Sequence, residues 1–138
     1  MNILSVSIKK IIYLFLLLIG FLVVLFCFSE KSRIDDDYEV SYVDIPINRN
    51  IYYKNQGIFD NLSVNMIIYD NDKILVRGFR FKTSVDVDVS KYQYYCIDKR
   101  IYASNPNQMN SMGVLGPIDS LQFARIKKSM SDSEVLTW

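Results

Sequence analysis

Histidine is absent from this chain of 138 residues, and cysteine occurs only at Cys27 and Cys96. Without histidine the protein has no Ser-His-Asp or Cys-His nucleophilic site and no histidine general base. Two cysteines cannot supply the four thiolates of a structural zinc site. The glycine-rich phosphate loop of nucleotide-binding proteins and the GxGxxG pattern of dinucleotide-binding proteins are also missing from the sequence. We therefore predict no bound metal, no cofactor and no catalytic site.

A strong charge of either sign is missing as well. The chain carries 16 basic and 15 acidic side chains, which gives a net charge of +1 at pH 7. A surface that binds nucleic acid requires clustered positive charge. The composition therefore predicts that nucleic acid is not a partner.

One long apolar run is present at residues 11–28 (IIYLFLLLIGFLVVLFCF) and contains no charged side chain. As an α-helix it would be about 27 Å long, close to the ~30 Å hydrocarbon core of a bilayer. Lys9 and Lys10 precede the run, and residues 1–10 contain no acidic side chain. Because basic flanks stay on the cytoplasmic side, the run predicts a single-pass signal anchor of the cell inner membrane. Residues 1–10 would then be cytoplasmic, and the C-terminal part periplasmic or extracellular.

Two other interpretations of the apolar run remain open. A cleaved secretory signal has the same basic start, but its apolar region is usually about 7–15 residues long and ends in small residues. At the corresponding place this chain has Cys27, Phe28 and Ser29. A lipoprotein would carry its lipid on Cys27, where the bulky Phe26 lies beside the cleavage point. Both patterns fit the sequence less well than a transmembrane helix does.

A short polar segment, residues 29–37, follows the run and ends in Asp35, Asp36 and Asp37. A calcium site needs about six to eight oxygen ligands in a shaped loop, which three successive aspartates do not provide. We interpret residues 29–37 as a solvated linker. Residues 38–138 are then long enough for one extracytoplasmic domain.

Two-residue alternation recurs in this domain and predicts a mainly antiparallel β structure. The first alternating stretch is residues 38–42. Residues 63–69 and 74–82 alternate on either side of a turn at residues 70–73, which predicts a β-hairpin. Residues 85–89 alternate valine and aspartate, so we expect the valines to face the core and the aspartates to face solvent.

The end of the chain carries the one helical pattern. Residues 104–116 are rich in Asn, Ser and Gly and predict a loop, and Gly116-Pro117 is typical of a helix start. Residues 131–138 show no period, which predicts a frayed tail. The apolar stripe of the helix would consist of Ile118, Leu121, Ile126 and Met130. The predicted fold class is α+β, with one N-terminal transmembrane helix, a small antiparallel β domain and one C-terminal amphipathic helix.

Asp86 and Asp88 are the carboxylates that most resemble a catalytic pair. Two residues apart on one strand face, their carboxylates would lie about 6–7 Å apart. Inverting glycosidases hold their carboxyl groups about 6.5–9.5 Å apart. One of the two would need burial to raise its pKa, whereas the valine alternation places both aspartates on the solvent side. We therefore predict a solvated strand face.

Tyrosine is common, and Tyr92, Tyr94 and Tyr95 follow one another in a predicted strand. Tyrosine is enriched at protein interfaces because it combines a large contact area with a hydrogen-bonding tip. Alternation places Tyr95 opposite Tyr92 and Tyr94, so at least one side should meet solvent or a partner. These three tyrosines are the candidate partner-binding residues. Cys96 is expected to be a buried free thiol, with an intermolecular disulfide as the alternative.

The layout of the chain, though none of its specific residues, resembles small anchored proteins that display a compact domain outside the bacterial inner membrane. Some of these are immunity proteins that neutralise toxins. We therefore predict a membrane-anchored protein-binding module without catalytic activity, of the immunity type or an accessory part of an envelope complex. Its partners would be the lipid bilayer, through residues 11–28, and another protein. The alternative is a small carboxylate-dependent envelope enzyme that acts on glycans.

Overall fold

The computed structural model describes residues 10–21, 32–42, 45–106 and 112–138. The chain divides into two units, Met1–Glu30 and Lys31–Trp138.

In the first unit, residues 10–21 form a helix, α1, whose large apolar side chains are exposed. Among the residues that the structure describes, no helix combines the length and the apolar character needed to cross a membrane. Residues 22–28 of the predicted transmembrane segment lie outside the described residues.

The second unit begins with a small four-stranded antiparallel sheet. Its strands follow one another in chain order, as β1 (Ser32–Arg33), β2 (Tyr38–Tyr42), β3 (Arg49–Tyr53) and β4 (Gln56–Gly57). The first alternating stretch of the sequence is therefore confirmed as a strand. Residues 32–37, which the sequence assigned to the linker, contain β1 and the turn that leads into β2.

A second sheet has five strands and is also antiparallel. In chain order the strands are β5 (Leu62–Tyr69), β6 (Lys73–Thr83), β7 (Asp86–Asp98), β8 (Val114–Ile118) and β9 (Glu134–Thr137). Their order across the sheet is β8-β7-β6-β5-β9, so β5 and β6 form the predicted hairpin. Helix α2 (Lys99–Ser104) follows β7, and helix α3 (Ser120–Ser129) lies between β8 and β9 in the chain. The domain is mainly antiparallel β structure with few helices.

Each face of the larger sheet contributes to a separate apolar cluster. The main core lies between the two sheets and includes Val40 and Ile51 from the small sheet and Val64 and Val76 from the large one. The second cluster lies on the opposite face, where α3 covers part of the sheet. This cluster consists of Ile68, Leu75, Cys96, Ile118 and Phe123.

A β-bulge in β5 changes which residues share a face. The pairing of β5 with β6 shifts between Val64 and Met66, and the extra residue at a bulge reverses the alternation that follows it. Val64 therefore packs in the main core, whereas Met66 and Ile68 pack on the side of α3. The uninterrupted alternation that the sequence predicts over residues 63–69 is therefore wrong, since it would place Val64, Met66 and Ile68 on one face.

Aspartate caps set the start of α2 and of α3. The Asp98 carboxylate accepts hydrogen bonds from the backbone N–H groups of Arg100 and Ile101 at the start of α2. Asp119 accepts one from the N–H of Gln122 at the start of α3. A carboxylate at this position satisfies N–H groups that have no partner within the helix.

The predicted start of the C-terminal helix is wrong. Gly116 and Pro117 belong to strand β8, and the helix begins only after Asp119. The side chain that α3 buries is Phe123, whereas Leu121, placed in the predicted stripe, is 70% exposed. Ile126 and Met130 of the predicted stripe do pack against the same apolar cluster as Phe123.

The predicted frayed tail is also wrong, because Glu134–Thr137 form strand β9. This strand pairs with β5 from Met66 to Tyr69, and the Tyr69 hydroxyl donates a hydrogen bond of 2.6 Å to the Glu134 carboxylate. That hydrogen bond raises the pKa of Tyr69 to about 12. Four residues are too short a segment for periodicity to indicate a strand.

A buried lysine joins the start of the small sheet to the large sheet. The Lys99 ammonium donates hydrogen bonds to Asp35 Oδ2 at 2.7 Å and to the Asp70 carbonyl at 2.8 Å. Asp35 Oδ1 accepts the backbone N–H groups of Asp37 and Tyr38. Burial alone would raise the pKa of Asp35, but the hydrogen bonds from Lys99, Tyr38 and Asp37 outweigh it, so the pKa lies below its ordinary value.

We expect the stabilising contribution of Asp35 to be lost in acid. Because folding lowers its pKa, the contribution is complete above the pKa of the unfolded chain and disappears as pH falls through the lower, folded value. At pH 6 the Asp35→Asn variant should be about 1 kcal/mol less stable than the native protein, since the carboxylate is partly exposed. The free energies of unfolding of the native protein and of the Asp35→Asn variant, measured by urea titration, should differ less at pH 3 than at pH 6.

The matched control is Asp36→Asn, because Asp36 is exposed and its ion pair with Arg33 is exposed as well. This variant should differ little from the native protein at either pH. An Asp35→Asn difference that is equally large at pH 6 and pH 3 would contradict the prediction.

Candidate protein-binding surface

The ends of β6 and β7 form a two-stranded arm at one end of the large sheet. Strand β5 pairs with β6 only as far as Arg80, and β8 pairs with β7 only from Tyr94 onward. In the part of the chain that the structure describes, the strand residues between 81 and 93 therefore pair only between β6 and β7, with Tyr92 and Gln93 opposite Phe79 and Gly78 at the base. We call residues 81–93 the hairpin arm.

The hairpin arm presents apolar side chains to solvent. Val85 is 68% exposed and Val89 is 70% exposed, so the expectation that these valines face the core is wrong. The alternation predicted β structure correctly for residues 86–89, which begin β7, whereas Val85 lies in the turn before this strand. The strands extend beyond their neighbours in the sheet, however, and no layer built from the described residues covers these two valines. Exposed apolar residues gathered in one place are typical of a binding surface.

A row of aromatic rings runs along the α3 face of the sheet to the base of the hairpin arm. Tyr92 stacks on Phe79, with ring centroids 4.7 Å apart. Tyr94 lies 6.3 Å from Tyr92 and 4.8 Å from Phe123 of α3. We call these four residues the aromatic row. Its Phe123 end is buried under the helix and its Tyr92 end reaches solvent.

Arg77 lies directly beside the exposed end of the aromatic row. Its guanidinium carbon is 4.4 Å from the centre of the Tyr92 ring, and its Nε donates a hydrogen bond of 3.1 Å to Asn65 Oδ1. The ring and the amide together fix the guanidinium in one place. A guanidinium that is already ordered loses less conformational entropy when it meets a partner.

The three candidate tyrosines fall in different places. Tyr92 is 44% exposed, and Tyr94 is half-buried against Phe123. Tyr95 is only 4% exposed and packs in the main core, 5.0 Å from Phe59. Burial raises the pKa of Tyr95. As expected, Tyr95 lies on the opposite face of the sheet from Tyr92 and Tyr94. Tyr92 is the most exposed of these three.

Sequence reasoning did not single out Arg77 or Phe79, which complete this surface. Both face Tyr92 and Tyr94 across the hairpin, in the register Arg77↔Tyr94 and Phe79↔Tyr92. Their two-residue spacing on an alternating strand was visible in the sequence. The pairing register, which brings them against the tyrosines, was not.

The carboxylates of the hairpin arm are solvated. Asp88 accepts hydrogen bonds from the hydroxyl and the backbone N–H of Ser90, which lower its pKa, and it lies 3.7 Å from the Lys82 ammonium. Asp86 is exposed as well. A general acid needs the opposite, a carboxyl group whose pKa is raised by burial. The lowered pKa of Asp88 therefore makes this carboxyl group unsuited to the role of general acid.

Neither a metal cluster nor an activated thiol is present in the part of the chain that the structure describes. No group of three or more acidic, histidine or cysteine side chains in that part is arranged to hold a metal ion. Cys96 is a buried free thiol, as expected, and burial raises its pKa. A buried thiol with a raised pKa is a poor nucleophile.

Comparison with known proteins gives no relative for this chain. No protein-family model, no curated protein sequence and no solved structure matches it.

Proposed function

We propose that the domain binds another protein through the hairpin arm and the exposed end of the aromatic row. The observation that carries this proposal is the half-exposed Tyr92 ring, held between Phe79 and Arg77 at the base of an arm with exposed valines. Tyrosine and arginine are enriched among residues that dominate binding energy. The aromatic ring offers apolar area, and the ordered guanidinium offers hydrogen-bond donors.

The same proposal includes a membrane anchor and no catalytic activity. The support for the anchor is the uncharged run at residues 11–28 with Lys9 and Lys10 before it. On this proposal residues 1–10 are cytoplasmic, and the β domain lies outside the inner membrane. The protein is then of the immunity type, or an accessory part of an envelope complex, with a toxin or an envelope protein as its partner.

We expect the full chain to stay in the membrane fraction after washing with alkaline carbonate. An apolar helix of this length attaches a protein to the bilayer far more firmly than electrostatic attraction to the membrane surface does. The control is a variant with Leu16 and Leu17 replaced by lysine, which should lose the association. Recovery of a soluble, shortened native protein that begins near residue 30 would instead establish a cleaved signal.

Site-specific crosslinking tests the binding surface in intact cells. A photo-crosslinking amino acid in place of Tyr92 or Val89 should trap one protein in a discrete adduct. The same amino acid in place of Asn55, an exposed residue of the turn between β3 and β4, should not. Equal trapping at all three positions, or none at Tyr92 and Val89 while Asn55 forms an adduct, would contradict the proposal.

A further inference from the structure

An open cleft lies between the two sheets of the domain, away from the aromatic row. It has a volume of about 500 Å³ and takes its walls from β3, from the segment that leads into β5 and from the end of β6. Clefts that hold small molecules commonly have volumes of about 300–1,000 Å³. We call it the inter-sheet cleft. Its size suits a ligand of about two or three sugar rings.

Asn50 fixes the walls of the inter-sheet cleft to one another. Its Nδ2 donates a hydrogen bond of 2.6 Å to the Phe59 carbonyl, and its Oδ1 accepts one of 3.2 Å from the Phe59 N–H. This amide thereby binds β3 to the segment that enters the large sheet. The cleft is consequently formed before any ligand arrives, which reduces the entropic cost of binding.

The charges around the inter-sheet cleft are few. Among the described residues that line it, none is a lysine or an arginine, and Asp60 is the one acidic residue. Phosphate and carboxylate ligands are normally held by arginine or lysine. The lining therefore does not suit an anionic ligand, and it suits a neutral one.

Polar and aromatic side chains alternate around the inter-sheet cleft. Asn61 and Asp60 are exposed at its rim, and Tyr52 and Phe81 present half-buried rings. An asparagine amide donates and accepts hydrogen bonds at once, as each hydroxyl of a sugar does. The C–H faces of a sugar ring are apolar and pack against aromatic rings. This combination matches a ligand that is densely hydroxylated on its edges and apolar on its faces.

We propose that the inter-sheet cleft binds a neutral saccharide. Phe81 and Tyr52 supply the ring contacts, and Asp60 and Asn61 hydrogen-bond the hydroxyl groups. The cleft shares Phe81, Thr83 and Ser84 with the hairpin arm, whereas none of the residues of the aromatic row lines it. No bond is made or broken, and the cleft acts as a recognition site.

The test uses the full chain in lipid nanodiscs, since many detergents have sugar headgroups that would compete. The probes are three neutral trisaccharides, chitotriose, cellotriose and maltotriose, and binding is measured by calorimetry and by saturation-transfer NMR. At least one should bind with a Kd below about 1 mM, which is a modest affinity for an open site. Phe81→Ala and Asn61→Ala should each weaken that binding at least tenfold.

The matched control is Asn71→Ala, which removes an exposed amide, as Asn61→Ala does, but from a turn outside both the inter-sheet cleft and the aromatic row. This variant should bind the saccharide as the native protein does. Phe81→Leu, which keeps an apolar side chain, serves if Phe81→Ala does not fold, and it should also weaken binding. The proposal is overturned if none of the probes binds at 10 mM, or if Phe81→Leu and Asn61→Ala bind as tightly as the native protein. Tighter binding of inorganic phosphate or of choline than of every trisaccharide would overturn it too.

Discussion

The Tyr102→Ala variant is expected to lose about 3–5 kcal/mol of folding free energy, the range found when large aromatic side chains are removed from a core. Tyr102 is 1% exposed and is the largest fully buried side chain among the described residues. Its ring centre lies 5.5 Å from that of Tyr53 and 6.4 Å from that of Tyr38. Helix α2 thus packs against the main core through the Tyr102 ring, and alanine at this position would leave a cavity between the sheets.

Urea unfolding followed by circular dichroism measures this loss. The matched control is Ile101→Ala in the same helix, because Ile101 is 44% exposed and its truncation should cost about 0.5 kcal/mol or less. Tyr102→Phe, which keeps the ring, should fall between the two. A Tyr102→Ala variant as stable as Ile101→Ala would show that α2 does not close the core in this way.

The Tyr92→Ala variant is expected to weaken binding of the protein partner at least 30-fold. Loss of one dominant interface residue costs about 2 kcal/mol or more, and each 1.4 kcal/mol is a factor of ten in Kd. The substitution removes the exposed ring and also the surface on which the Arg77 guanidinium is ordered. Calorimetry or biolayer interferometry with the partner identified by crosslinking gives the change in Kd.

Two control variants separate binding from folding and from catalysis. Tyr92→Phe keeps the ring and should retain most of the affinity. The double substitution of Asp86 and Asp88 by asparagine should change little, because both carboxylates are solvated. Loss of the biological effect in that double variant with partner binding intact would favour the carboxylate enzyme. A Tyr92→Ala variant that is folded and binds with native affinity would rule out the proposed surface.

The sequence predicted those parts of the fold that depend on neighbouring residues. The hairpin at residues 62–83 was visible because two alternating runs flank a turn in which Asp70 accepts the backbone N–H groups of Asp72 and Lys73. Strand β2 was visible from its own alternation over residues 38–42. In each case the residues that carry the pattern lie within about 20 positions of the residues with which they pair.

Errors arose where a distant neighbour decides the outcome. Val85 and Val89 alternate like core residues, yet their exposure depends on where β5 and β8 stop pairing. Strand β8 and strand β9 each form because a longer strand offers them an edge. Nothing in their own four or five residues indicates this.

The sequence predicted only part of the candidate surface, for the same reason. Tyr92, Tyr94 and Tyr95 were identified by residue type, and alternation separated Tyr95 from the other two. The contribution of Arg77 and Phe79 depends on the cross-strand register, which is a tertiary property. The inter-sheet cleft was not foreseen, because its walls come from three segments that are brought together only by folding.

The pairing of β9 with β5 has a consequence for how the domain assembles. Tyr69 and Glu134, which it brings together, are 65 residues apart, whereas the β5–β6 and β6–β7 hairpins close short loops and therefore form more readily. While β9 is detached, the outer edge of β5 offers unpaired N–H and C=O groups to any other extended chain. In crowded, newly made protein this open edge is one place where two copies would pair wrongly. Strand β9 thus removes one site of aggregation when it pairs with β5.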